Sequence, residues 1–322
     1  MRYRVCGLTV SSDTQLPELL LADGEQDAQI DVRLRIRDSS SADFPAPRRW
    51  VFSDTLDNGS PWLSCAQTDV GYLVRIHEMA DFFIDPDGRE VSCSPDPRIS
   101  AETLRHLFID QVFPRLLNLR GQDALHATSV LTPAGLCAFV GPSGTGKSTL
   151  AAAFQLAGYP VLSDDCLVVR EEGEQIVATP AYPGVRLWED TIEALRHEDS
   201  LALPVADYTV KRRVTVSGQA NEVFAHAYPL VRIYAPVRSS DRESSEILTV
   251  PSIEPLSRGA AFLELVSSLF RLDLTDREML TRQFHFVGRL LSLVTIRRLR
   301  IPNALSALPA VRDAILADLE AA

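Results

Sequence analysis

Up to about residue 98, apolar and polar positions alternate in short runs, and a period of two predicts strands. Asp31-Val-Arg-Leu-Arg-Ile-Arg37, for example, puts its apolar side chains on one face only. The β-prone runs are Tyr3 to Val10, Ile30 to Ile36, Trp50 to Phe52, Tyr72 to Ile76 and Phe82 to Ile84, separated by turn chemistry such as Asp57-Asn-Gly and Asp85-Pro-Asp-Gly. Strands with one apolar face are expected in a largely antiparallel layer. His77 and the segment Ser39-Ser-Ser-Ala-Asp43 read as surface features. From Ser100 the period becomes helical. Leu104, Leu107, Phe108, Val112, Leu116 and Leu117 form a stripe behind an N-cap at Ser100, with Pro114 predicted to kink the helix and Gly121 to end it. His106 falls off that stripe and reads as a surface histidine.

A strand, Leu125-His-Ala-Thr-Ser-Val-Leu131, is followed by the turn Thr132-Pro-Ala-Gly135 and the apolar run Leu136 to Val140. Antiparallel pairing sets Leu131 opposite Leu136 and His126 opposite Gly141. A helix is predicted from Thr149 to Leu156, stopped by Gly158, and then a strand at Pro160-Val-Leu162 ending in Ser163-Asp164-Asp165. Cys166 to Val169 is expected to continue as a strand into the turn at Glu171-Glu-Gly-Glu174. Further on, Ile176 to Pro180, Leu230 to Pro236, Leu248 to Val250 and Val294 to Ile301 read as strands. Helices are expected from Asp190 to Leu195, over residues 258–292 with His285 in the core, and from Val311 to Leu319.

Gly141-Pro-Ser-Gly-Thr-Gly-Lys-Ser148, standing between a strand and a helix, fits the phosphate-binding pattern G-x-x-x-x-G-K-[ST] at every fixed position. The glycines let successive N–H groups converge on one anion, and the helix start adds the positive end of its dipole. On this reading Gly141, Ser143, Gly144, Thr145, Gly146, Lys147, Ser148 and Thr149 hold a nucleotide. Lys147 reaches its β- and γ-phosphates and Ser148 ligates Mg²⁺. A strand, a helix and a parallel strand end at one sheet edge, so Asp164 and Asp165 are expected beside the loop. One can then hold the metal while the other accepts a proton from an attacking hydroxyl. His126, at the mouth of the loop, can hydrogen-bond a phosphate oxygen or simply cap a strand end. Arg186 can stabilise phosphate charge or place the nucleotide, or serve a structural ion pair. Lys211-Arg-Arg213 is a compact basic cluster that suits a solvated turn, a phosphate contact or an acidic acceptor. Val216-Ser-Gly-Gln219 is a poor remnant of an ABC-type signature.

Composition narrows the classes. Of 322 residues 46% are hydrophobic, enough for a large core. The 32 basic residues against 43 acidic ones give a net charge of −11, which argues against a nucleic-acid partner. Five scattered cysteines, Cys6, Cys65, Cys93, Cys137 and Cys166, suit reduced core thiols. No apolar run is long enough to span a bilayer, and Met1-Arg-Tyr-Arg-Val-Cys6 lacks the apolar core of a signal peptide, so no membrane partner and a cytoplasmic setting are expected.

The order His126, phosphate loop, Ser163-Asp164-Asp165 resembles the catalytic domain of HPr kinase/phosphorylase over residues 125–170. The resemblance implies an α/β fold with the phosphoenolpyruvate-carboxykinase-like version of the P-loop core. A β-rich N-terminal region with its linking helix (1–121) would precede a catalytic domain (122–322) carrying C-terminal helices. It implies Asp164 as the carboxylate that activates the acceptor hydroxyl, Asp165 as a second metal or phosphate contact, and His126 as an active-site neighbour. Tyr182-Pro-Gly-Val-Arg-Leu-Trp188 stands where that family carries a Glu-Val-Arg-Gly-like signature, and the N-terminal region is unlike the family's regulatory domain. The whole-chain pattern is more similar to the HPr-kinase-like proteins of peptide-modification systems, including lasso-peptide kinases that phosphorylate a terminal serine. An ATP- and Mg²⁺-dependent kinase acting on a serine of a peptide or small protein is expected. A small-molecule kinase of the same fold and a non-catalytic ATP-binding sensor or assembly subunit are the rivals.

Overall fold

The computed structural model describes residues 1–22, 29–37, 44–56, 58–195, 201–215, 221–238 and 249–321. It is a mixed α/β chain with two large sheets. Its contacts divide into two compact units, Met1–Ala124 with Pro204–Val210 and Phe270–Phe284, and Leu125–Leu203 with Lys211–Leu269 and His285–Ala322.

The first unit holds a nine-stranded sheet of β1 (Arg2–Val5), β2 (Leu8–Ser12), β3 (Leu20–Leu21), β4 (Val32–Ile36), β5 (Arg49–Thr55), β6 (Pro61–Thr68), β7 (Gly71–Ile76), β8 (Ala80–Ile84) and β9 (Glu90–Pro95). The Tyr3 to Val10 run is broken by Cys6 (φ 51°) and Gly7 (φ 77°), which turn it into a hairpin. Strands β5 to β9 form an antiparallel meander. The layer is not antiparallel throughout, because β4 runs parallel to both β2 and β9. His77 is half-buried, its Nε2 3.0 Å from the Ser64 hydroxyl. Ser39 to Asp43 and Asp57 lie outside the described residues.

Ser100 accepts from the Thr103 N–H at 3.2 Å and opens α1 (Ala101–His106). Where Pro114 predicts a kink, the chain widens into a π-helical segment, Leu107–Val112, before α2 (Phe113–Leu119). The Phe113 N–H reaches back to the Phe108 carbonyl, and this wider turn relieves the clash that a proline ring makes with the preceding turn. His106 is not a surface histidine: its Nδ1 lies 2.5 Å from Oδ2 of the buried Asp110 one turn on, and only 12% of its side chain is exposed.

In chain order follow β10 (Ala124–Leu125), β11 (Ala127–Thr132), β12 (Gly135–Val140), α3 (Lys147–Leu156), β13 (Val161–Ser163), β14 (Leu167–Glu172), β15 (Gln175–Thr179), β16 (Val185–Leu187), α4 (Glu189–Leu195), β17 (Leu201–Ala206), β18 (Thr209–Thr215), β19 (Tyr228–Arg238), β20 (Ser252–Pro255), α5 (Arg258–Ser267), α6 (Arg277–Leu293), β21 (Thr295–Ile301) and α7 (Leu308–Glu320). The hairpin β11–β12 has the register read from the sequence, with Leu131 opposite Leu136 and Ala127 opposite Val140. Strand β11 is antiparallel to β13 as well, β12 is parallel to β19, and β19 is parallel to β21. Strands β12, β13, β19 and β21 therefore run in one direction, and Val140, Ser163, Arg238 and Ile301 emerge at the same sheet edge.

Two buried clusters cover the two faces of this sheet. Phe139, Val161, Tyr234 and Leu299 pack with Leu150 and Phe154 of α3 and Val311 and Ile315 of α7. Ala138, Val140, Ile233 and Ile296 pack with Leu265 of α5 and Val287 and Leu290 of α6. Small residues Ala151, Ala152 and Ala153 bring α3 close to its face.

The strand expected to continue through Cys166 breaks instead at Asp164-Asp165. Asp165 takes a left-handed backbone (φ 71°), and β14 pairs with β15. The strand expected at Leu248 to Val250 is found at Ser252–Pro255, antiparallel to β21, and Leu248 lies outside the described residues. His285 is exposed rather than core, because the buried side of α6 carries Gln283, Val287 and Leu290. All the cysteines are buried. Among the described residues no helix is long and apolar enough to cross a membrane.

Candidate functional site

The loop after β12 turns on glycine. Gly141 (φ 133°), Gly144 (φ 87°) and Gly146 (φ 100°) occupy backbone conformations that side chains disfavour, and Gly146 stands at the cap position of α3. With no side chain capping them, the first N–H groups of α3 are left for another acceptor, the arrangement that suits an anion. Thr145 Oγ1 donates to the Pro142 carbonyl at 3.0 Å and fixes the loop's middle. Lys147 is 5% exposed, and its ammonium donates to the carbonyls of Gly141 (2.7 Å) and Pro142 (3.1 Å). Burial holds this amine below its ordinary pKa, against the pull of Asp165 and Asp164.

The adjacent aspartates at the end of β13 have different surroundings. Asp164 is fully buried. Its Oδ1 accepts from Thr128 Oγ1 at 2.8 Å and Ser148 Oγ at 2.9 Å, and its Oδ2 from the Arg186 N–H at 2.8 Å and Arg186 Nε at 3.4 Å. Its carbonyl accepts from Arg186 Nη2 at 2.7 Å and from the Tyr182 hydroxyl at 3.2 Å. Asp165, turned the other way by its left-handed backbone, keeps 24% of its side chain exposed. Its Oδ2 lies 3.0 Å from Arg186 Nη2 and its Oδ1 3.6 Å from His126 Nε2. Arg186 thus ties the two carboxylates together.

The electrostatics separate the pair further. Burial, reinforced by the charge of Asp165, pushes the Asp164 carboxyl up against the pull of Arg186. Burial also works against the Asp165 charge, but Arg186, followed by His126 and Lys147, outweighs it and holds that carboxyl well below the usual range. His126 is held down to about 4, chiefly by burial, although Asp165 pulls the other way. It is a neutral imidazole at pH 7.

The loop, Asp165 and Arg186 open onto one cavity of about 310 Å³. Ser143, Gly144, Thr145, Gly146, Lys147, Ser148, Thr149 and His126 all line it, whereas Gly141 and Asp164 lie behind its wall. Four cations, Lys147, Arg186, Lys211 and Arg238, face it against Asp165 and Asp190, so an acidic chain presents a cationic cavity. The basic cluster at Lys211 to Arg213 is split by strand alternation. Lys211 lines the cavity with its ammonium 5.2 Å from the Trp188 ring centre, while Arg212 Nε pairs with Glu189 at 2.8 Å. Arg213 is buried over the Tyr182 ring, and burial lowers its pKa to about 10.

Sequence reasoning did not single out Trp188, Arg238 and Asn303 in the lining, or Thr128 behind it. Arg238 and Asn303 stand at or just past the ends of β19 and β21, so a search of apolar-run ends would have reached them. Among the described residues no three His, Cys, Asp or Glu side chains gather as a metal cluster. Mg²⁺ commonly takes only one or two protein oxygens beside phosphates and water, and the Ser148 hydroxyl with a nearby carboxylate suits such a hard cation.

No family model matches the sequence, and no curated protein is similar to it. Among solved structures, the chain is similar to the Hpr(Ser) kinase/phosphatase from Coxiella burnetii, at 11% identity and a TM-score of 0.29, over 61% of this chain and 97% of that one. A superposition this loose assigns no function.

Proposed function

We propose that the protein is an ATP-dependent phosphotransferase that moves the γ-phosphoryl group to a hydroxyl, with a serine of a peptide or small protein as acceptor. The observation that carries this reading is the pairing of an ionised, pocket-facing Asp165 with a glycine loop and a buried Lys147 around one cationic cavity. The loop N–H groups and Lys147 take the phosphates, and Arg186 and Lys211 offset charge on the transferring group. The acceptor oxygen forms a bond to Pγ as the bond from Pγ to the β,γ-bridging oxygen breaks. The hydroxyl proton passes to Asp165, and ADP leaves with the electron pair.

A strongly acidic carboxyl such as Asp165 is a weak base. It suffices because a loose phosphoryl-transfer transition state asks mainly for orientation of the nucleophile. The reading moves the acceptor-activating role from Asp164 to Asp165. Asp164 is enclosed by Thr128, Ser148 and Arg186 and acts as a positioning residue. Because Ser148 donates its proton to Asp164, its lone pairs are left for Mg²⁺, which would neutralise phosphate charge. His126 lines the cavity beside this base, its Nε2 3.6 Å from Asp165 Oδ1.

The test is transfer of γ-labelled phosphate from Mg-ATP into a size-fractionated lysate, with Lys147→Ala and Asp165→Asn beside the wild type. Label in a small band, lost in both variants, is the expected outcome. Absence of label from the wild-type reaction, or full labelling by Asp165→Asn, overturns the assignment.

A further inference from the structure

The cavity has a second kind of wall. Beside its charged end, the lining includes Trp188, Pro302, Leu305 and Leu308. Trp188 is 46% exposed, an indole left open to a concave site rather than packed into a core. Such a ring offers a large flat surface at little cost in conformational freedom. Its backbone is held: the Trp188 carbonyl accepts from the N–H groups of Thr191 (3.0 Å) and Ile192 (3.1 Å) at the start of α4. Directly before it, Val185 and Leu187 of β16 share a buried cluster with Leu150 and Ala151 of α3, the helix that the glycine loop begins. The backbone that carries the ring is therefore tied to the helix that the glycine loop begins.

We propose that Trp188 is the platform on which the base of the bound nucleotide stacks. The inference rests on the nucleotide reading given above. A cavity of about 310 Å³ is of the size that holds one small ligand. With the loop taking phosphates, a planar base is the group that uses an exposed indole in the same lining. Stacking of this kind is tolerant of base identity, because every base has a π-face. The Lys211 ammonium lies 5.2 Å from the ring centre, so the base would stack on the face that this cation does not cover or displace it.

The experiment compares ATP with tripolyphosphate, which carries the charge but no base, by titration calorimetry in the presence of Mg²⁺. Trp188→Ala is expected to weaken ATP roughly tenfold to a hundredfold and to leave tripolyphosphate unchanged. Trp188→Phe keeps most of the ATP affinity, which separates stacking from a folding defect. In the variant carrying both Trp50→Phe and Trp62→Phe, Trp188 is the remaining member of the chain's 3 tryptophans. Its fluorescence should then respond to ATP and not to tripolyphosphate. Equal weakening of both ligands by Trp188→Ala overturns the platform, and so does no change in either, which would assign the ring to the acceptor. Wild-type protein that binds neither ligand would overturn the phosphate reading and the platform together.

Discussion

Neighbouring aspartates with the same chemistry should fail in different ways when each loses its charge. Asp164→Asn upsets a buried cluster in which Thr128, Ser148 and Arg186 all donate to the carboxylate; Arg186 keeps Asp165 at 3.0 Å, so the loss should lie below the about 3–5 kcal/mol typical of a buried charge left with no partner. Its melting temperature should fall markedly. Asparagine tolerates the left-handed backbone as well as aspartate does, but Asp165→Asn gives up the charge that Arg186 holds at 3.0 Å, so it should melt below the wild type while also losing about 10²- to 10⁴-fold in transfer rate. Thermal melts and single-turnover transfer on both variants decide the matter. Asp164→Asn as stable as the wild type would remove its positioning role. The third titrating group gives a pH signature. His126 is depressed to about 4 from an ordinary 6.5, so between those values the unfolded chain binds the proton that the folded one refuses. Stability should therefore fall as pH drops from 6.5 towards 4 and be flat with respect to this group above 6.5. His126→Asn should flatten that slope in thermal melts. The depressed Asp165 carboxyl stabilises above the unfolded value of 3.8 and loses its contribution only as pH falls below it, outside the histidine window.

Elements were legible in the sequence to the extent that their signals are local. The hairpin β11–β12 was read with its register, because two apolar runs flank a Pro-Ala turn and any slip exposes one of them. The glycine loop and its helix were legible because positive φ at Gly144 and Gly146 demands glycine. Strand β6 was not, since Ser64 and Gln67 break its apolar pattern, and β9 was not, since its alternation offers only two apolar positions, Val91 and Cys93. Which aspartate faces the cavity depends on the φ of Asp165, and the company of Arg238 and Asn303 depends on strand order, neither of which a local pattern carries. His285 was misplaced because an aromatic on each side suggests a core that the helical period does not support. One glycine shows how tightly an element can be specified. At Gly71, which opens β7, an added Cβ would lie 2.2 Å from the Ile84 carbonyl oxygen on β8. The obstacle is backbone, and the φ of 146° adds strain for any side chain. Gly71→Ala should cost at least about 2 kcal/mol and lower the melting temperature, whereas Gly59→Ala, with nothing near its Cβ, should cost only the strain of its φ of 81°.

At the scale of the whole chain, the net charge of −11 repels a polyanion, so affinity for a phosphate ligand must be local. The fold supplies that locality by bringing the ends of parallel strands to one edge. The residues that meet there are far apart in sequence: the loop from Ser143 to Leu150, Asp165, Arg186 to Trp188, Arg238, and Ile301 to Leu305. A ligand bound at that edge stabilises the folded state by mass action, about 2.7 kcal/mol at a hundredfold excess over its Kd. It also holds together segments that otherwise open separately. Hydrogen exchange on the full chain with and without Mg-ATP should therefore show protection in all of these stretches at once. The strands β5 to β9 of the first unit, none of which lines the cavity, should be unchanged. Lys147→Ala should abolish the whole pattern, since the remote stretches are protected only through the ligand. Protection confined to the glycine loop would mean a bare phosphate site, and protection spread over β5 to β9 would place the ligand somewhere other than this sheet edge.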